Sequence, residues 1–265
     1  MTHVRRMVCL LVLCCSAASA GDSQTVSLTP SADNSLFEPA TGDLSNGAGT
    51  YLFAGLTNRV ELRRGLIRFD LSAIPSGSTI QSATLTMTVS RAISGSLDMT
   101  LHRVTNSWGE GASDAPGQEG TGTAAENGDA TWLHRFYPNQ LWQTPGGDYR
   151  SAASATTGVA GNGDYSWSSP DLTADVQRWL DAPNLNHGWA IIGAEIVTAS
   201  AKRLDSREGV SPPVLEVTYQ PGTIALPPGN AVGIPSLGWP STALLVLLFC
   251  HIVLRRSPST KKGSH

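Results

Sequence analysis

Ile80-Gln81-Ser82-Ala83-Thr84-Leu85-Thr86-Met87-Thr88-Val89 is the stretch on which the fold turns. Ala83, Leu85, Met87 and Val89 are apolar, and Ser82, Thr84, Thr86 and Thr88 alternate with them. Successive side chains of an extended chain point to opposite faces, so this period of two puts one face in an apolar core and the other in water. Downstream, Leu97, Met99 and Leu101 alternate with Asp98, Thr100 and His102, and the intervening residues 90–96 are few and include Gly95. That spacing predicts a hairpin. Upstream, residues 65–71 place Ile67, Phe69 and Leu71 on one inward face. Further strands are expected at 25–29, 36–38, 50–54, 165–168, 189–194 and 214–219. One short helix is expected at 171–181, with Leu172, Val176, Trp179 and Leu180 on one side and Asp171 or Thr173 as its cap. Short strands separated by Gly, Pro, Asn and Ser, with a single helix, predict an all-β chain: one two-sheet β-sandwich or jelly roll.

The composition agrees. Only 15% of the 265 residues are charged and 40% are apolar, with 27 Gly and 16 Pro in no fixed period. This excludes a disordered tail, collagen and a coiled coil. The formal net charge of -3 averages unlike parts. Residues 1–20 hold only Arg5 and Arg6, and residues 221–265 hold only Arg255, Arg256, Lys261 and Lys262. The middle therefore sets 12 Lys and Arg against all 21 acids, a charge of -9. Such a body repels nucleic acid.

Both ends read as addresses. Arg5-Arg6, the apolar run from Met7 to Cys15, and Ala18-Ser19-Ala20 before Gly21 describe a secretory signal peptide over residues 1–20. Acylation at a lipoprotein cysteine fits poorly, because Leu13 precedes Cys14 and Cys14 precedes Cys15. Cys9, Cys14 and Cys15 leave with the signal, and Cys250 lies near the other end. The exported body, residues 21–220, has no disulfide and must rely on an ordinary core. A linker over 221–233 contains Pro221-Gly222 and Pro227-Pro228-Gly229, and a tail follows over 234–265. Residues 231–254 carry no formal charge. As a helix they would reach about 36 Å, against about 30 Å of hydrocarbon, and Arg255-Arg256 would close them on the cytoplasmic side. A membrane-anchoring or sorting role is expected. The order Ile234-Pro235-Ser236-Leu237-Gly238-Trp239, apolar run, Arg255-Arg256 resembles the IPTL-CTERM and PEP-CTERM sorting tags of Gram-negative bacteria, with Ser236 where the tag usually has Thr. The resemblance implies an exosortase-type partner and delivery to the cell surface.

Within the body, Asp33-Asn34-Ser35-Leu36-Phe37-Glu38, Gly65-Leu66-Ile67-Arg68-Phe69-Asp70-Leu71-Ser72 and Ala83-Thr84-Leu85 occur in that order. They are followed by Asp171-Leu172-Thr173 with Val176 and Trp179, the turn at 184–188, Ser206-Arg207-Glu208, and Pro213-Val214-Leu215-Glu216-Val217-Thr218-Tyr219. This order resembles the DNRLRE family of secreted domains over almost all of residues 25–219. Membership implies a jelly roll classed with carbohydrate-binding modules, some of which bind acidic polysaccharides such as alginate. Ser35 and Phe37 stand where the family's name motif has arginines, so any ligand contact made by those arginines is absent here.

Catalytic signatures are missing: there is no G-x-S-x-G, H-E-x-x-H, C-x-x-C or G-x-x-x-x-G-K, and His102, His134 and His187 are scattered. A non-enzyme is expected. The most distinctive segment is residues 105–164, too long for a bare loop and therefore expected to fold as a flap with extra strands. Its second half carries Trp132, Phe136, Tyr137, Trp142 and Tyr149, interleaved with His134 and Arg135. A sugar offers a C–H face for an aromatic plane and hydroxyls for polar groups, so Trp132, His134, Arg135, Trp142 and Tyr149 are candidate contacts. The alternative is that these aromatics form a satellite core over the sandwich. Phe69, Trp179 and Trp189 are expected in the main core, and Trp108 as a lid beside it. Arg59, Arg63, Arg64 and Arg68 could bind uronate carboxylates if they share a face; otherwise they pair with Glu61, Asp70 and neighbouring acids. Glu110, Asp114, Glu119, Glu126 and Asp129 are possible Ca²⁺ ligands or simply a solvated acidic loop, and no EF-hand spacing is present. The leading expectation is a surface-displayed polysaccharide-binding module. A structural or matrix protein without a glycan ligand, and a lyase or glycosidase on a jelly-roll scaffold, are the alternatives.

Overall fold

Strand pairing in this protein is almost wholly antiparallel and long-range, as seen in a computed structural model that describes residues 22–39 and 41–222. The expected signal peptide and the sorting residues Ile234, Pro235, Ser236, Leu237, Arg255 and Arg256 lie outside the described residues. The chain runs through β1 (Gln24–Leu28), β2 (Pro30–Phe37), β3 (Leu44–Ser45), β4 (Tyr51–Leu56), β5 (Leu62–Phe69), β6 (Thr79–Arg91) and β7 (Leu97–Arg103). Three short pieces follow: β8 (Thr123–Ala124), β9 (His134–Phe136) and β10 (Gln140–Leu141). Then come β11 (Ala155–Val159), β12 (Gly163–Ser168), α1 (Pro170–Asp181), a 3-10 turn at Pro183–Leu185, β13 (Trp189–Ile192), β14 (Lys202–Asp205) and β15 (Val214–Gln220).

Eleven of these strands join into one curled antiparallel sheet that folds over on itself, an all-β sandwich. One half contains β1, β15, β6, β12 and β14. The other contains β2, β5, β13, β7 and β11. The fold line is β4, whose residues 51–54 pair with β14 while Gly55 and Leu56 pair with β5. Gly55 makes the switch with φ of 121°, and a Cβ there would lie 2.8 Å from Ala201 Cα. Any side chain would meet both an unfavourable φ and the neighbouring backbone.

The period of two places its apolar residues as expected. Leu85, Met87 and Val89 of β6 meet Ile67 and Phe69 of β5, Met99 and Leu101 of β7, Trp189 and Ile191 of β13, and Leu215 and Val217 of β15 in one buried cluster between the halves. Leu172, Val176 and Trp179 of α1 belong to the same cluster. Trp108, Trp167, Trp179 and Trp189 are among the largest fully buried side chains. Each removes about 150–250 Å² from water, roughly 4–6 kcal/mol at about 25 cal/mol per Å² before ordering costs.

Three details differ from the sequence reading. First, β6 and β7 form no hairpin: β6 pairs with β12, β14 and β15, and β7 with β11 and β13. Residues 92–96 carry the chain from one half to the other, because both strands must turn their apolar face toward the same core. Second, α1 is capped by Ser169, whose Oγ accepts the Leu172 amide at 2.9 Å, with Pro170 opening the helix; Asp171 and Thr173 lie inside it. Third, the insertion over 105–164 is not all flap. Its last residues build β11 and begin β12, which are edge strands of the two halves, and the part off the sandwich ends near Ser154. Strand pairing and both apolar clusters close within residues 22–222, a compact unit that holds its own core.

Candidate functional site

The outward side of β5 is not wet. Leu66 there, with Ala32 and Leu36 of β2, Ala190 of β13 and Val104 just after β7, meets Trp108, Ala130, Trp132 and Trp142 of the flap in a second buried cluster. Trp132 is 7% exposed and Trp142 5%, too little to offer a ring face to a sugar. Trp142 Nε1 donates to the Thr131 carbonyl at 2.9 Å, and Trp108 Nε1 donates to the His187 carbonyl at 2.8 Å. The satellite-core alternative describes these tryptophans.

Arg64, Trp132 and Tyr149, far apart in sequence, do converge. The Arg64 guanidinium lies 4.8 Å from the Trp132 ring centre and 5.4 Å from that of Tyr149. It makes a two-pronged bond to Glu195, at 2.6 and 2.9 Å, and donates to the Gly146 carbonyl at 2.9 Å. Its donors are thus taken up in fastening the flap to the sheet. Arg63 turns the other way: it is buried, pairs with Glu61 at 2.8 Å and sits 4.9 Å over Phe37. Arg68 shares the outward face with Arg64 and lies 5.3 Å over Trp108, where burial draws its pKa down. The four arginines therefore form no common patch. Arg135 donates to the carbonyl and hydroxyl of Ser107, at 3.2 and 3.1 Å. His134 Nδ1 lies 3.1 Å from Thr131 Oγ1, and burial pulls its pKa down. His134, Arg135 and Tyr149 remain partly exposed and form the accessible edge of the flap.

The Asp33–Glu38 motif is a fastening device. Asn34 Nδ2 donates to Ser45 Oγ, the Glu110 carbonyl and the Ala130 carbonyl at 3.0, 2.7 and 3.3 Å, while its Oδ1 accepts the Asn46 amide at 3.2 Å. Ser35 Oγ accepts the Phe53 amide, and Glu38 Oε2 accepts the Leu62 amide. Asp33 is completely buried: Oδ2 accepts the Arg207 amide at 2.7 Å, and Oδ1 has no hydrogen-bond partner among the described residues. Burial pushes its carboxyl up to about 8, so it is protonated at neutral pH.

The acids considered for Ca²⁺ are dispersed. Glu110 accepts the Asp33 amide and pairs with Arg207 at 2.8 Å. Glu119 is enclosed by Thr50, the Tyr51 amide and Asn46. Asp129 accepts the Glu126 amide, while Asp114 and Glu126 are exposed. Among the described residues no three acidic, His or Cys side chains gather as a metal-binding set.

A wide opening lies elsewhere, at the end of the sandwich where β5 runs out and α1 stops. This groove of about 680 Å³ has a floor of Phe69, Leu71, Ile74, Trp179 and Leu180, all buried. Ser31, Arg68, Asp70, Ser72, Ser76 and Asn186 supply polar groups around it. Asp70 accepts from both the amide and the hydroxyl of Ser72, at 2.9 Å each, which fixes the carboxylate. Asn186 donates to the Phe69 carbonyl at 2.8 Å, whereas its buried Oδ1 has no hydrogen-bond partner among the described residues. An apolar floor with a few fixed polar groups is the usual make-up of a small-ligand site. Sequence reading placed Phe69 and Trp179 in the core, correctly, but could not find the groove. Its walls come from β2, β5, the loop after β5, α1 and the turn at 183–186, and of the groups the sequence offered for ligand binding only Arg68 lines it. No protein-family model matches the chain, and no curated protein matches it either.

Proposed function

We propose that the chain is a non-catalytic polysaccharide-binding module, exported by its N-terminal signal and displayed at the cell surface through its C-terminal tail. The groove beside α1 carries this reading. It has room for a sugar unit or two, and Asp70, Ser72 and Arg68 on its walls could meet hydroxyls. The likeness of residues 25–219 to DNRLRE domains and the sandwich architecture point the same way. The ligand site moves, however, from the tryptophans of the flap to the groove, with His134, Arg135 and Tyr149 left as a secondary edge. A glycan array probed with residues 22–222 tests the proposal. Binding should fall at least about tenfold in Asp70→Ala, as when hydrogen bonds to a charged group are lost. Arg135→Ala should change it little. Failure to bind any acidic or neutral glycan would sink the reading. A structural role without a glycan ligand is the second reading, favoured by the burial of Trp132 and Trp142.

A further inference from the structure

At the opposite end of β5 from the groove, three loops meet: residues 57–61 between β4 and β5, 92–96 between β6 and β7, and 193–201 between β13 and β14. The Ala199 amide donates to the Thr57 carbonyl at 3.4 Å. Lys202, itself 2% exposed, anchors the middle loop by donating to the carbonyls of Ser94 and Gly95, at 3.4 and 3.2 Å, and also to that of Ala160 at 2.8 Å. The three loops enclose a cavity of about 280 Å³, lined among others by Asn58, Arg63, Arg91, Ile93, Gln118 and Arg203.

Two features of this end are unexplained by folding. The first is its exposed aliphatic side chains: Val60 is 66% exposed, Ile93 71%, Ile196 94% and Val197 40%. Scattered apolar side chains on a surface need no cause, but four on adjoining loop tips are a patch. The second is charge. No carboxylate lines the cavity. Glu61 is taken by Arg63 and Glu195 by Arg64. Arg59 and Arg91 are exposed and without an ion pair among the described residues, leaving the exposed Asp98 as the nearest loose acid in sequence. Arg203 donates to Ser90 and Gln118 and lies 3.8 Å over Tyr51, again with no acid. Local positive charge thus persists on a body of -9.

We propose that this loop end is a docking site for an anionic lipid surface, with a headgroup phosphate seated between Arg91 and Arg203 and with Val60, Ile93, Ile196 and Val197 entering the acyl boundary. A free phosphate or an acidic polymer would engage the arginines and leave the aliphatic tips wet. A bilayer satisfies both: burying each aliphatic side chain is worth about 1.5–3 kcal/mol, and each basic group near an anionic surface about 1 kcal/mol. The site is independent of the glycan groove, because the 8 residues of β5 separate the two by about 25 Å. The chain leaves the sandwich at Gln220, beside Thr79 at the groove end.

The test is sedimentation of residues 22–222 with vesicles of phosphatidylcholine alone and of phosphatidylcholine and phosphatidylglycerol mixed two to one. Binding is expected to the mixed vesicles only. It should fall by at least about tenfold in the double variant Ile93→Ser, Ile196→Ser, whose exposed positions leave the melting temperature unchanged, and by about fivefold in Arg91→Ala. No binding to mixed vesicles, or binding that ignores the isoleucine substitutions, overturns the proposal. Titration with inorganic phosphate and with a polyuronate separates the alternatives. Saturable binding of either that Arg91→Ala abolishes, without vesicle binding, would assign the cavity to a soluble anion. Because the glycan array reads the groove and sedimentation reads the loops, each proposal can fail alone.

Discussion

The two faces of β5 meet two different kinds of interior. Inward, Ile67 and Phe69 join a cluster made of aliphatic and aromatic side chains from both halves of the sheet. Outward, Leu66 lies among tryptophans, but its surroundings include the buried Asp33, Asn34, Ser45 and Asn46 and the clamped Arg64. The inner interior is held by burial, which is non-directional and tolerant of detail. The outer one is held by hydrogen bonds with fixed partners, each modest in net worth yet costly when one partner is lost. Removal of a side chain should therefore unfold the body when it comes from the first, and loosen the flap selectively when it comes from the second.

The largest effect is expected at the inner cluster. Trp189→Ala should destabilise residues 22–222 by about 3–5 kcal/mol in urea unfolding, with every strand affected together. A loss below about 1 kcal/mol would mean that the inner cluster is not the principal core. Next is Asn34→Ala, which strips Ser45 Oγ and the Ala130 and Glu110 carbonyls of a donor and the Asn46 amide of its acceptor. About 2–3 kcal/mol should be lost. Hydrogen exchange should quicken in residues 109–131 before it does in β6 and β15; uniform quickening would erase the distinction between the two interiors.

The buried Asp33 sharpens the comparison through pH. Its folded pKa, about 8, lies above the ordinary value of 3.8, so the folded state holds a proton that the unfolded chain releases. The stability this confers is fully present below about pH 4 and is lost as pH rises toward and through about 8. Unfolding midpoints of the native chain should fall over that window, and those of Asp33→Asn should stay flatter. A difference between the native and Asp33→Asn profiles that stays constant between pH 5 and 8 would contradict a protonated Asp33. The smallest effect belongs to Arg64→Met, which keeps the stem between Trp132 and Tyr149 but frees Glu195, whose side chain is 22% exposed. About 1 kcal/mol is expected, with a near-ultraviolet circular dichroism change from the two rings; an unchanged spectrum would show that the guanidinium does not order them.

Legibility in the sequence followed the same division. Ala83 to Val89, Leu97 to Leu101 and Val214 to Tyr219 announce themselves by alternation, because each has one face in the apolar cluster and one outside it. β2 and β14 did not: Asp33, Asn34 and Ser35 are buried polar residues, as are Lys202 and Asp205, and strands stabilised by hydrogen-bonded polar groups show no hydrophobic period. The flap aromatics pointed to a layer of special composition, but not to which way their rings turn. That depends on Arg64 reaching Gly146 and Glu195 across 82 and 131 residues.

By itself, then, the sequence determined an all-β body, its inward apolar faces and the acidic balance between its basic ends, since period and composition are local properties that survive without coordinates. Only the tertiary structure decided that β6 and β7 part company into different halves, that Trp132 and Trp142 are covered, and that a groove opens beside α1. Each of these depends on residues brought together by strand order, and a linear pattern carries no record of which distant neighbours will supply the other wall.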